Sequence, residues 1–225
     1  MNKENSDDYE QVKVILLGES GTGKTSLINV AVGREFSDDE SCTVACNFSQ
    51  LEFIINNKQY KLNIWDTAGQ EKYRSMTKLF IKESNIVIFV YAIDNKTTFE
   101  GLSYWINFAK DALGNKPIYA IVGNKSDLIN NEEVSQEKIT KYSEEVGIQL
   151  RFVSAKEDAP GFIKFIEKLL EQYLQRMGIV IQPKKKFVSL NDNNKAKSGT
   201  CCWIINLNLN KLIFTYVINV NKIGL

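Results

Sequence analysis

The sequence predicts an α/β fold in which a mainly parallel sheet lies between layers of helices. Two uninterrupted apolar runs, Ile86–Ile93 and Ile118–Val122, are typical of strands that are covered on both faces. Segments with helical spacing alternate with the strands, which is the order that parallel strand–helix–strand units require. In such a sheet, the loops at the carboxyl ends of the strands form the site.

Each element follows from a local pattern. Gln11–Leu17 is predicted to be the first strand and Lys24–Val32 the first helix, which Gly33 ends. The stretch Arg34–Asn47 has no clear period and is predicted to be a loop. The remaining elements are a hairpin with Leu51, Phe53 and Ile55 on one strand and Tyr60, Leu62 and Ile64 on the other, joined at Asn56-Asn57; a helix marked by Phe99, Leu102, Trp105, Ile106 and Ala109; and a helix, a strand and a helix at Ser135–Val146, Leu150–Ser154 and Gly161–Met177. We assign the apolar stripes of the helices to the core and give them no cofactor role.

Composition excludes several classes of chemistry. A chain of 225 residues with 44% hydrophobic residues can bury one ordinary core, and its net charge of +1 gives no reason to expect nucleic-acid binding. Because the sequence contains no histidine, histidine-based acid–base, nucleophilic and metal sites are excluded. The four cysteines have neither disulfide nor zinc spacing, and the polar N-terminus is neither a signal nor a transit peptide. We therefore expect a cytoplasmic location.

Residues 18–25 read GESGTGKT and match the G-x-x-x-x-G-K-[ST] pattern of phosphate-binding loops. An apolar strand precedes the loop and an apolar helix follows it, which is the context that the pattern requires. The glycines allow backbone N–H groups to surround a polyphosphate at the positive end of a helix. Lys24 would reach the β- and γ-phosphates, and the Thr25 hydroxyl would hold Mg²⁺. This loop alone leaves kinases, ATPases and GTPases open.

Three later strand ends favour a guanine nucleotide. Asp66 can reach Mg²⁺ through water, and the N–H of Gly69 can meet a γ-phosphate. In the segment 124–127, NKSD, the carboxylate of Asp127 can accept from both guanine N1–H and N2–H₂, a donor pair that adenine lacks. A buried group of this kind can discriminate by a factor of about 10⁴ to 10⁵. The segment Ser154–Lys156 would add a backbone N–H to guanine O6.

These motifs resemble those of the small GTPases of the Ras superfamily, and residues 65–71, WDTAGQE, are most similar to the Rab family. The resemblance covers Val12–Met177 and implies a P-loop NTPase G domain, with a six-stranded, mostly parallel sheet and five helices on its two faces. It implies GTP, GDP and Mg²⁺ as ligands. The residues that it implies for nucleotide binding are Gly18, Ser20, Gly21, Thr22, Gly23, Lys24, Thr25, Ser26, Phe36, Thr43, Asp66, Gly69, Asn124, Lys125, Asp127, Ser154, Ala155 and Lys156; those for the metal are Thr25, Thr43 and Asp66; and those for catalysis are Gln70 and Lys24.

The same resemblance implies a molecular switch in vesicle and membrane trafficking. The γ-phosphate would hold Thr43 and Gly69, and slow hydrolysis, with Gln70 orienting the attacking water, would release them. The implied partners are a guanine nucleotide exchange factor, a GTPase-activating protein and effectors. Effectors would bind the switch loops together with an aromatic triad at Phe48, Trp65 and Phe80.

Two departures from the Rab pattern keep other functions open. Ala45 stands where Rabs have glycine, and Glu40 stands where they usually have an aromatic residue. The alternative is therefore a GTP-binding adaptor with impaired hydrolysis. A P-loop ATPase or nucleotide kinase would have to prefer ATP, which Asp127 argues against, and would need an acceptor-binding lid, for which we find no candidate segment.

We expect four parts along the chain: a polar extension at 1–10, the G domain at 11–178, a linker at 179–202 and an atypical extension at 203–225. By resemblance to Rabs, Cys201 and Cys202 would receive two geranylgeranyl groups and place the protein peripherally on the cytosolic face of an intracellular membrane. Two hypotheses account for the extension. Either the gene model reads past a true end at Cys202, or the extension is real and anchoring is lost or different.

Overall fold

Strands and helices largely alternate along the chain in this computed structural model, which describes residues 9–39, 43, 46–69 and 74–182. The strands are β1 Tyr9–Leu17, β2 Cys46–Ile55, β3 Lys58–Thr67, β4 Ile86–Ala92, β5 Ile118–Asn124 and β6 Gln149–Phe152; the α-helices are α1 Lys24–Ala31, α2 Arg74–Phe80, α3 Lys96–Glu100, α4 Leu102–Leu113, α5 Gln136–Val146 and α6 Ala159–Arg176; and a 3₁₀ helix spans Ser126–Asn131. The strands form one sheet in the order β2-β3-β1-β4-β5-β6. Every strand pair is parallel except β2–β3. The predicted α/β class and the six-stranded, mostly parallel sheet are confirmed.

The antiparallel pair is the predicted hairpin. Asn56 and Asn57 have φ values of 52° and 63°, which is the left-handed backbone of a tight two-residue turn that asparagine tolerates well. The pairing runs from Ile55 opposite Lys58 to Cys46 opposite Thr67. Strand β2 therefore begins earlier than the alternation predicted, because its first residues gain partners from β3 that local sequence does not reveal.

Successive side chains of β1 point to opposite faces of the sheet, and each face carries its own hydrophobic core. Val14 and Leu16 pack with apolar residues of α1 and α6, whereas Ile15 and Leu17 pack with those of α3, α4 and α5. The helical stripes that were predicted as core are buried. This arrangement places all the loops that follow the parallel strands at the same edge of the sheet.

The number of helices differs from the expected five. Gly101 separates α3 from α4, which gives six α-helices among the described residues. The Asn95 side chain begins α3 by accepting from the N–H groups of Thr97 and Thr98. No helix in the described part of the chain combines the length and the apolar character that crossing a bilayer requires.

Candidate functional site

A cavity of about 380 Å³ lies where the loops after the parallel strands meet. Most of the residues that were predicted from the sequence line it. The predicted residues in its wall are Ser20, Gly21, Gly23, Lys24, Thr25, Ser26, Phe36, Thr43, Gly69, Asn124, Lys125, Asp127, Ala155 and Lys156. Ser37, Asp38, Thr67 and Leu128 also line the cavity and were not predicted.

The phosphate-binding loop wraps around the amino group of Lys24. Lys24 is buried, and its Nζ donates to the backbone oxygens of Gly18 and Glu19 at 2.8 Å each. Gly21 and Gly23 have φ values of +78° and +81°, a backbone that residues with a Cβ rarely adopt. Gly18 thus supports the lysine from behind the cavity. A buried ammonium group at the N-terminus of helix α1 is suited to binding a polyphosphate.

Three side-chain oxygens, from the start of α1, the segment before β2 and the end of β3, lie close together. Thr25 Oγ and Thr43 Oγ lie 2.8 Å apart, and these hydroxyls donate to Asp66 Oδ2 at 2.8 and 3.2 Å respectively. Octahedral Mg²⁺ holds its oxygen ligands at about 2.1 Å, which places adjacent ligands about 3.0 Å apart. The donor set and its spacing therefore fit Mg²⁺. Asp66 is 2% exposed and supports the two hydroxyls from behind.

Gly69 follows β3 and touches the phosphate-binding loop. A Cβ built on Gly69 would lie 2.4 Å from both the carbonyl carbon of Glu19 and the backbone nitrogen of Ser20. Only glycine fits at this distance. The residue predicted to sense the γ-phosphate therefore lies directly against the loop predicted to hold that phosphate.

Asn124 joins the phosphate-binding loop to the two loops of the base pocket. Its Nδ2 donates to Thr22 O at 2.8 Å, and its Oδ1 accepts from the N–H of Ala155 at 3.1 Å. Asn124 is 1% exposed, so these bonds lie in a dry environment where a missing partner is costly. The N–H of Ala155 lies in the segment predicted to supply a backbone donor to guanine O6, and it already has one acceptor.

The carboxylate of Asp127 is fixed from one side. Its Oδ1 accepts from Ser154 Oγ at 2.6 Å, and Ser154 Oγ accepts from the N–H of Lys156 at 3.2 Å. Lys125 has a left-handed φ of 64°, and its Nζ lies 3.1 Å from Asp94 Oδ2. Ser154 thus lies behind the pocket wall and orients the side chain that is predicted to select the base.

Phe36 and Lys156 form one rim of the cavity. Lys156 Nζ lies 5.8 Å from the centre of the Phe36 ring and 3.8 Å from Asp38 Oδ2. This contact links the segment after α1 to the segment after β6. The contact between Asp38 and Lys156 could not be predicted from the sequence, because Asp38 lies in a stretch without periodicity.

Cys46 lies near the oxygen cluster but is a poor nucleophile. Burial, and then the neighbouring carboxylate of Asp66, raise the pKa of its thiol to about 12. The neutral thiol of Cys46 therefore predominates at neutral pH, and little nucleophilic thiolate is present.

The aromatic triad joins the two strands of the hairpin to α2. The rings of Phe48 and Trp65 meet edge to face at 5.6 Å, and those of Trp65 and Phe80 stack at 5.5 Å. Phe48 is 53% exposed, whereas Phe80 is partly buried against the core. The three rings form one contiguous apolar surface, and Phe80 also contributes to packing.

Several predicted residues lie outside the residues that the structure describes. They are Gln70, Glu40, Ala45, Cys201 and Cys202. Their roles therefore stay predictions from the sequence.

Comparison with known proteins agrees with this geometry. The family model described as Ras family matches residues 13–175. The chain is 31% identical to Ras-related protein YPTC6 of Chlamydomonas reinhardtii, with 88% of this chain and 89% of that protein covered. It is 36% identical to Ras-related protein Rab-21 of Geodia cydonium, with 72% of each chain covered, and 33% identical to Ras-related protein Rab-2B of Dictyostelium discoideum, with 78% and 87% covered. This chain therefore belongs to the Ras family: it is a small GTPase, an enzyme that hydrolyses GTP, and within the family it is similar to the Rab proteins.

Proposed function

We propose that this small GTPase is a switch of the Rab type, which recruits effectors in its GTP state and regulates vesicle and membrane trafficking. The observation that carries the proposal is the oxygen cluster of Thr25, Thr43 and Asp66, in which side chains from α1, from the segment before β2 and from β3 lie within 3.2 Å of one another. A ligand at that point can fix the position of a loop and release it when the ligand changes.

Different residues at this site would bind different parts of GTP or GDP: the metal ion, the phosphates and the base. Thr25 and Thr43 would hold Mg²⁺ directly, and Asp66 would hold it through water. When bound, Mg²⁺ neutralises charge on the β- and γ-phosphates. Lys24 has three N–H donors, so it would donate to phosphate oxygens while keeping a carbonyl partner, and Asp127 would accept from the two guanine donors.

Hydrolysis depends on Gln70 in this proposal. Gln70 would orient the attacking water toward the γ-phosphate, while Lys24 stabilises the developing charge. Because phosphoryl transfer relies on positioning and charge, a chain without histidine can perform it. The intrinsic rate should be on the order of 10⁻⁴ to 10⁻³ per second, and an arginine from a GTPase-activating protein should raise it about 10⁵-fold.

Switching follows from the two loops that reach the γ-phosphate. Loss of that phosphate would release Thr43 and Gly69, and the surface formed by Phe48, Trp65 and Phe80 would change with them. An exchange factor would reset the switch by releasing GDP. Effectors would read the aromatic surface in the GTP state.

Membrane attachment would come from the end of the linker. Two geranylgeranyl groups on Cys201 and Cys202 would anchor the protein stably where one chain would not. Mass spectrometry of the native protein tests this directly. Two prenyl groups support the anchor, and unmodified cysteines contradict it. Peptides beyond Trp203 would refute an end at Cys202.

Single-turnover hydrolysis tests the timer function. The full chain is loaded with GTP and Mg²⁺, and the release of phosphate is compared with that of the Gln70→Leu variant. Hydrolysis should fall about tenfold or more in the variant, because the attacking water loses its orientation. Phe48→Ala is the control, since Phe48 is exposed on the hairpin and should leave intrinsic hydrolysis unchanged. If the unaltered protein is no faster than Gln70→Leu, the hydrolysis-impaired adaptor is the better description.

A further inference from the structure

A buried tryptophan contacts the phosphate-binding loop through its only polar atom. Trp105 lies on α4 and is fully buried, and its Nε1 donates to Glu19 Oε1 at 3.0 Å. Glu19 is the second residue of the phosphate-binding loop and lies 86 residues before Trp105. A charged acceptor makes a stronger hydrogen bond than a neutral one. This contact therefore ties the loop to the helical layer on one face of the sheet.

The backbone carbonyl group of Glu19 is held by two other residues of the phosphate-binding loop. Its carbonyl oxygen accepts from Lys24 Nζ at 2.8 Å and from Thr22 Oγ at 3.0 Å. The side chain and the carbonyl group of one residue thus connect the core tryptophan to the phosphate lysine. Any displacement of Glu19 shifts the acceptor that helps to aim the ammonium group of Lys24.

Two glycines make room for Glu19. A Cβ built on Gly101 would lie 2.8 Å from Glu19 Cγ and 2.9 Å from Glu19 Oε1. A Cβ on Gly69 would lie 2.4 Å from the carbonyl carbon of Glu19. The break between α3 and α4 therefore coincides with the place where the Glu19 carboxylate enters. Glu19 is also in contact with the loop that carries the predicted γ-phosphate sensor.

We propose that Glu19 and Trp105 are positioning residues that fix the phosphate-binding loop and thereby slow the release of bound nucleotide. This inference rests on the proposed function, because it assigns a task within the same nucleotide site. Trp105 holds the Glu19 carboxylate, and Glu19 in turn holds a carbonyl acceptor of Lys24 and the adjoining N–H of Ser20. Without the pair, the loop samples positions in which these groups no longer converge on a phosphate.

The test measures the dissociation of a fluorescent GDP analogue from the full chain in the presence of Mg²⁺. Glu19→Met keeps the length of the side chain but removes the acceptor, and Trp105→Phe removes the donor. Each should accelerate dissociation about tenfold, as expected for the loss of a hydrogen bond to a charged group. Glu19→Gln keeps an oxygen acceptor and should remain within about threefold of the unaltered protein.

A double variant separates positioning from general packing. Glu19→Met combined with Trp105→Phe should dissociate GDP no faster than either single variant, because both remove the same contact. Phe89→Leu is the matched control: Phe89 is fully buried in the same core as Trp105, and its ring stacks on Tyr119. It should lower stability without accelerating dissociation.

The outcomes distinguish the inference from the proposed function. If Glu19→Met leaves GDP dissociation within twofold, or if Glu19→Gln is as fast as Glu19→Met, the positioning role is wrong. Multiplicative effects in the double variant would also contradict it. The comparison of the two Glu19 variants decides the question even if Trp105→Phe fails to fold. Failure of the unaltered protein to retain any GDP would overturn the proposed function and the inference together.

Discussion

Replacing Gly23 with alanine would test how the phosphate-binding loop and the base loop hold each other. Gly23 has a φ of +81°, and a Cβ built there would lie 2.3 Å from Asn124 Nδ2. That nitrogen donates to Thr22 O at 2.8 Å in a buried environment. The methyl group would therefore strain the backbone and displace a hydrogen bond that joins the two loops.

The magnitude follows from two terms. A left-handed backbone costs alanine about 1–2 kcal/mol. An unsatisfied buried polar group costs about 1–3 kcal/mol more. Gly23→Ala should thus lower the free energy of unfolding by about 2–5 kcal/mol, measured by urea titration of the full chain with saturating GDP and Mg²⁺.

Two other glycines provide matched controls for the backbone term. Gly21 and Gly147 have φ values of +78° and +67°. Apart from the glycine itself and its chain neighbours, no heavy atom of the described residues lies within 4 Å of a Cβ built on either. Gly147 ends α5 and does not line the cavity, so Gly147→Ala should cost only about 1–2 kcal/mol and leave GDP dissociation unchanged. Equal losses for Gly23→Ala and Gly21→Ala would refute the role assigned to Asn124.

Three further predictions concern the base pocket, a helix start and the cysteine near the oxygen cluster. Asp127→Asn should reduce the preference for GTP over XTP by at least about 10²-fold, because an amide presents a donor where the carboxylate accepted; competition against labelled GDP measures it, and an unchanged preference would exclude Asp127 from base selection. Asn95→Ala should lower the free energy of unfolding, measured by urea titration, by about 1 kcal/mol, because the Asn95 side chain accepts from the N–H of Thr97 at 3.0 Å. Lys96→Ala is the control: it breaks an exposed ion pair and should change that free energy by no more than about 0.5 kcal/mol. Burial raises the pKa of the Cys46 thiol to about 12, so iodoacetamide at pH 8 should label Cys46 at least about tenfold more slowly than an ordinary cysteine. The smaller thiolate fraction outweighs the greater nucleophilicity of each thiolate. Peptide mapping that finds an ordinary labelling rate would contradict this burial.

The sequence predicted the parts of the site that depend on short motifs. The loop around Lys24 and the segments that contain Asp66, Asn124 and Ser154 each lie at the carboxyl end of a strand. Parallel strands bring such loops to one edge, so local patterns were enough to place these residues together. The structure additionally shows which residues hold others in place: Ser154 donates to Asp127, and Asn124 links the phosphate-binding loop to the segment that contains Ala155.

Contacts between distant side chains could not be predicted in the same way. The periodicity of α4 correctly assigned Trp105 to the core, but it carries no information on which acceptor its N–H would find. The pair of Asp38 and Lys156 has the same difficulty, because it depends on how two loops pass each other. The close approach of the Glu19 side chain to Gly101 likewise has no local pattern that would predict it.

Competition among nucleotides tests the central claim most directly. Purified full-length protein with Mg²⁺ is loaded with labelled GDP, which is then displaced by GTP, GDP or ATP. The geometry of Asp127 and Asn124 predicts that both guanine nucleotides compete, whereas ATP is weaker by a factor of about 10⁴ or more. Equal displacement by ATP and GTP, or no retention of labelled GDP at all, would contradict a guanine-nucleotide switch.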